Sequence, residues 1–162
     1  RLRLPRKKPN LRVLPDPVSV KKTYLALVYG RVKNDEGVID APIGRAPGNV
    51  RKKLVGPKAM GKLREAVTEW KVRERFDQYT LLEVFPKTGR TNQIRVHLKS
   101  VGHPVACDSI YTRGKTCPAP LARLARHAAA IEFALPGGGR IRLEADTPED
   151  FSAALANLRS VR

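Results

Sequence analysis

A chain of 162 residues can bury one core but not comfortably two, so a single domain is expected. Its 32 Lys and Arg against 15 Asp and Glu leave a formal charge of +17, a field that draws polyanions, nucleic acid foremost, and repels basic partners. No apolar run approaches the ~20 residues of a membrane span and none has a signal-peptide core, which sets an anionic membrane aside and leaves a soluble, cytoplasmic protein as the expectation.

In chain order, residues 1–19 come first as a basic arm. Six basic residues fall within the first twelve, and Pro5, Pro9, Pro15 and Pro17 discourage helix, so an extended segment that lies along phosphates or stays solvated is expected. Residues 23–29 read as a strand ended by Gly30, and its two apolar faces place it centrally in a sheet. On residues alone, Tyr24 is a core tyrosine with a satisfied hydroxyl. A turn at 34–37 precedes a short strand at 38–41. Residues 42–63 carry four glycines, three prolines and a run of cations that includes Arg45, Lys52, Lys53 and Lys62; they read as a long flexible loop suited to phosphate contact. Residues 68–76 alternate as a half-buried strand, with Glu74 breaking the series, and turn at Asp77-Gln78 into an apolar strand at 79–86.

The hairpin delivers the most polar stretch of the chain, Thr88-Gly-Arg-Thr-Asn-Gln-Ile-Arg-Val-His-Leu98. Thr91 is the expected helix N-cap and Gly102 the residue that stops the helix. Ile94, Leu98 and Val101 fall on one stripe, leaving Arg95 and His97 to project elsewhere near a helix start that favours anions. Past the helix, Cys107 and Cys117 have no metal-site spacing and are expected as free thiols. Residues 121–127 read as a short helix, and 129–135 and 141–145 as a second hairpin around Pro136-Gly-Gly-Gly139. Thr147-Pro-Glu-Asp150 reads as an N-cap and first turn, opening a helix to about Arg159 that buries Phe151, Leu155 and Leu158. The sum is an α+β fold, a mixed and mostly antiparallel sheet of six or seven strands with a few packed helices.

The stretch 88–98 resembles the second conserved block of the RluA-type pseudouridine synthases, Thr-Gly-Arg-Thr-His-Gln-Ile-Arg-Val-His-Leu, with Asn92 in place of the usual His. Further pieces follow in the family's order: Lys22-Thr-Tyr-Leu-Ala-Leu-Val28, Ile39-Asp-Ala-Pro-Ile-Gly-Arg45, Gly102-His-Pro104 with Asp108 and Tyr111, and Arg123-Leu-Ala-Arg-His127. The resemblance covers about residues 20–159. It implies a partial pseudouridine synthase-like domain over 20–162, lacking the family's N-terminal strands.

What the resemblance implies chemically is isomerisation of uridine to pseudouridine within RNA, ribosomal RNA of the large subunit in the first place and transfer RNA in the second, by a monomer with no metal or organic cofactor. A carboxylate acts as nucleophile or base, held ionised by a basic partner, on a base flipped against an aromatic wall. Carried over residue by residue, Arg95 is the partner of the carboxylate and Tyr24 the aromatic wall, both counted as catalytic. Arg90, Gln93 and His97 of the same block, with Arg45, Lys52 and Lys53 of the basic loop, are assigned to RNA binding. The family's catalytic aspartate belongs to a block like His-Arg-Leu-Asp-x-x-Thr-Ser-Gly ahead of the Lys-x-Tyr strand, and no such block is present in these 162 residues. Asp40 and Asp108 fall in other family motifs and are expected to be structural. Three readings follow, in order: the C-terminal part of a synthase that needs the missing segment for activity; a non-catalytic RNA-binding or ribosome-assembly protein derived from a synthase; and a small basic ribonucleoprotein component.

Overall fold

The computed structural model describes residues 20–135 and 137–161; the basic arm assigned to residues 1–19 lies outside them. The chain forms β1 (Lys21–Tyr29), β2 (Glu36–Asp40), β3 (Ile43–Ala46), β4 (Asn49–Val55), β5 (Met60–Arg64), β6 (Val67–Arg75), β7 (Tyr79–Pro86), α1 (Gln93–Ser100), β8 (Arg126–Ala134), β9 (Arg140–Glu144) and α2 (Glu149–Ser160). Six strands make one sheet in the order β2-β6-β7-β1-β8-β9, and three make a second in the order β4-β3-β5. Every strand pairing among the described residues is antiparallel.

Strand β1 lies between β7 and β8, where its Leu25–Val28 run is buried on both faces, as the doubly apolar pattern requires. The β6–β7 hairpin carries a register shift between Val72 and Glu74, the point at which the sequence alternation fails. Helix α2 closes the core with Phe151, Ala154 and Leu155, and Leu158 packs at its margin. Two chelated ion pairs fasten it: Arg123 to Asp150, and Arg159 to Glu74 on β6. Its N-cap is Pro148, whose carbonyl accepts from Phe151 and Ser152, and the expected Thr147 cap is not formed.

Three further expectations are corrected. Residues 42–63 are not a flexible loop but most of the second sheet, turning at Gly48 and Gly56 with φ of 64° and 86°. Residues 121–127 form no helix, because the backbone of Ala125 is already spent: its carbonyl accepts from Leu27 of β1 and its N–H donates to Ala106. Cys107 and Cys117 are joined as a disulfide across a turn that brings their Cα atoms to 5.2 Å, so they are not free thiols.

Gly37 on β2 sits beneath the indole of Trp70 on β6. A Cβ built there would lie 2.5 Å from Trp70 Cζ2 and 2.8 Å from Cε2. Gly37→Ala is therefore expected to cost about 1–3 kcal/mol by overpacking. Trp70 is the sole tryptophan, so its emission during urea unfolding reads the loss directly. An unchanged midpoint would mean that the indole has room to move.

Candidate functional site

Helix α1 begins one residue later than the expected cap. Asn92, not Thr91, is the N-cap, in the left-handed region at φ 57°, and its side chain makes no cap bond. The amide turns outward instead: Nδ2 donates to the Arg51 carbonyl of β4 at 2.9 Å, and Oδ1 accepts from Arg95 at 3.0 Å. The helix ends as expected, with Gly102 at φ 87°, its N–H on the Lys99 carbonyl and that of His103 on the Leu98 carbonyl.

Much of the polarity of residues 88–98 points into the protein. The Val67 N–H donates to the Thr88 hydroxyl, which donates to Gln93 Oε1; that same oxygen accepts the Arg90 N–H. Gln93 Nε2 donates to the Val67 carbonyl and to the Thr68 hydroxyl. His97 completes the chain with Nδ1 2.9 Å from Thr68 Oγ1 and Nε2 2.9 Å from the Ala41 carbonyl. A carbonyl only accepts, so Nε2 carries the proton and Nδ1 takes the Thr68 hydroxyl proton. Gln93 and His97 are buried and fully partnered, and this corrects their assignment to RNA contact: they fasten the 88–92 turn and α1 to β6 and to the entry of β3. Burial lowers the His97 pKa, against the opposing pull of the Ala41 carbonyl and of Asp40.

Arg95 leaves α1 on another face. Its Nε and Nη2 bind Asp108 Oδ2 and Oδ1 at 2.7 and 2.6 Å, and Nη1 binds Asn92. Asp108 is buried and also accepts the N–H groups of Ile110 and Tyr111, the structural role expected of it. Burial alone would raise its pKa; Arg95 and the two N–H groups outweigh it and hold the carboxyl below its usual range. Tyr111 lies under the Arg95 guanidinium at 5.3 Å and reaches β4, its hydroxyl accepting from the Lys53 N–H at 2.9 Å and donating to the Lys53 carbonyl.

Between the small sheet and the 89–91 turn lies a cleft of about 540 Å³. Arg45, Lys53 and Arg90, three residues assigned to RNA from sequence, line it together with Lys62 and Arg64, and no acidic residue lines it. Lys52 is not among its walls. Lys62 belongs to the charge run already noted; Arg64, one residue past that run, is the cation that sequence reading missed. Arg90 is steadied by a bond from Nε to the Glu65 carbonyl at 3.0 Å.

Tyr24 stands elsewhere, beside an apolar pocket of about 280 Å³ formed with β8 and β9, under the guanidinium of Arg126. Among the described residues Tyr24 and Arg95 share no bond, and no three His, Cys, Asp or Glu side chains group as a metal site.

The described residues thus combine an antiparallel sheet, a helix-borne arginine and a cleft lined by five cations and no acid. The family model described as RNA pseudouridylate synthase matches residues 12–100, more than half of the chain, and the chain belongs to that family. The chain is 43% identical over 152 residues to "Ribosomal large subunit pseudouridine synthase D" of Nitrosomonas europaea, covering 88% of this chain and 42% of that protein. It is 37% identical over 170 residues to "Ribosomal large subunit pseudouridine synthase C" of Escherichia coli, covering 97% and 52%. The solved structure of "Human RNA Pseudouridylate Synthase Domain Containing 1" superposes with a TM-score of 0.73 at 26% identity, over 84% of this chain and 59% of that one. The chain thus spans about half the length of the curated relatives it matches.

Proposed function

We propose that this chain is the RNA-gripping part of a pseudouridine synthase acting on large-subunit ribosomal RNA, the substrate class named for two of its relatives. The observation that carries the reading is the five-cation cleft beside the family block. Phosphates track through that cleft, while Arg95 stands ready for the reacting carboxylate. Asp108 and Asn92 take three of the five guanidinium N–H groups, leaving one on Nη1 and one on Nη2 for a second carboxylate. That carboxylate comes from the Asp-bearing block the family places ahead of Lys22; Asp108 cannot serve, since both its oxygens are committed. Tyr24 walls the flipped base while the glycosidic bond breaks, the base turns, and carbon rejoins the ribose. The reading takes the protein as a cytoplasmic monomer that prefers ribosomal to transfer RNA. No described helix is long and apolar enough to cross a membrane.

The test joins an Asp-bearing block upstream of Lys22 and assays pseudouridine in unmodified large-subunit ribosomal RNA. Formation of pseudouridine that disappears in Arg95→Ala supports the reading. Tight RNA binding with no product in any version leaves a non-catalytic RNA-binding protein, the alternative favoured by the committed state of Asp108. For binding itself, five phosphate contacts predict a slope of log K against log salt of about −3.5 for single-stranded RNA. Lys53→Ala should make that slope shallower by about 0.7. An unaltered slope in the variant would move the phosphate track away from the cleft.

A further inference from the structure

Strand pairing sets Tyr24 opposite Ala128 and Ala26 opposite Arg126, so Tyr24 and Arg126 stand diagonally on one face of the sheet. Ile131 and Leu143 pair across β8 and β9 and continue that face outward as apolar surface, partly open to solvent. The Arg126 guanidinium carbon lies 5.3 Å from the Tyr24 ring centroid, over the ring. Arg73, Arg95, Arg123 and Arg159 each hold a carboxylate, whereas Arg126 makes no side-chain hydrogen bond or ion pair among the described residues. Glu144, the one acid lining the pocket, is already paired with Arg142 at 2.6 Å. A half-buried arginine with all its donors unspent, resting on an aromatic face beside an apolar pocket, is suited to a planar, polar-edged ligand attached to an anion.

We propose that Arg126 is a specificity-determining residue that covers Tyr24 in the RNA-free protein and stacks on the outer face of a pyrimidine base once that base lies on Tyr24. The inference deepens the RNA reading above and rests on it. A base between the two groups needs about 6.8 Å, twice the ~3.4 Å rise of a base step. The observed 5.3 Å is closed, so Arg126 must lift, and nothing pins its side chain. Guanidinium stacking favours a base over an empty ribose, while the positive charge also draws the adjoining phosphate.

The test is fluorescence anisotropy on the chain itself with two probes of equal charge, a uridine hexamer and the corresponding abasic hexamer. The parent should bind the uridine probe about tenfold more tightly than the abasic one. Arg126→Ala should weaken binding of the uridine probe by about five- to tenfold and that of the abasic probe by less than about twofold. Arg126→Lys keeps the charge without the plane and should lose nearly as much; if Arg126→Ala does not fold, this variant carries the test. Equal loss on both probes, full rescue by lysine, or no loss overturns the proposal. A parent that binds both probes equally with steep salt dependence also overturns it while leaving the RNA reading intact. A parent that binds neither probe overturns the RNA reading as well.

Discussion

Replacing Asp108 with alanine is expected to lower the unfolding free energy by about 3–5 kcal/mol, the usual consequence of stranding one partner of a buried ion pair. Three groups lose their acceptor together: the Arg95 fork and the N–H groups of Ile110 and Tyr111. Arg95 has 14% of its side chain exposed and cannot recover full hydration without leaving Tyr111. The double replacement Arg95→Met with Asp108→Leu should cost less than Asp108→Ala alone, because it removes both charges. Urea unfolding of the three proteins measures the comparison, and a single-variant loss below about 1 kcal/mol would refute the assignment. The same pair shapes the acid limb of stability. The folded Asp108 pKa lies below the unfolded value of about 3.9, so its stabilisation is complete above that value and is lost as pH falls through the folded pKa. Asp108→Asn should remove this limb.

His97→Leu is expected to cost about 2–4 kcal/mol, since it leaves the Ala41 carbonyl and the Thr68 hydroxyl buried without their partner. Its pH signature is separate from that of Asp108. With the folded imidazole pKa below 6.5, the unfolded chain takes up the proton first on acidification. Stability is therefore full above about pH 6.5 and declines from there until the folded pKa is reached. His97→Gln should flatten that decline. A decline unchanged in His97→Gln would refute its assignment to His97.

How far the sequence could be read depended on what held each element. The β6–β7 hairpin, the central place of β1 and the stop at Gly102 were legible because apolar alternation and a single glycine specify them; even the bulge after Val72 was announced by Glu74. The small sheet was not legible. Strand β5 is exposed along its whole length, so backbone hydrogen bonds hold it with no apolar period to betray it. Helix α1 misled in another way. It packs on two surfaces, with Ile94 and Leu98 in the main core and Val96 in a smaller one with Ile43, Ala66 and Tyr111, while Val101 is left exposed. A single stripe could not describe that, nor reveal that His97 faces inward. The site was legible as a set of cations, of which Arg45, Lys53 and Arg90 do converge; which polar groups line the cleft and which face the core depended on tertiary contacts that spacing does not encode.

The division into two sheets also implies two rates of amide exchange with solvent deuterium. Strands β1 and β7 sit mid-sheet and carry the buried runs Leu25–Val28 and Thr80–Leu82, so their amides should exchange only when the whole molecule opens. Strands β4 and β5 flank β3 with few buried side chains, and they should open as a separate, less costly unit. The wall of the cation cleft should thus open at lower cost than the main sheet, and an arriving polyanion should slow exchange there first.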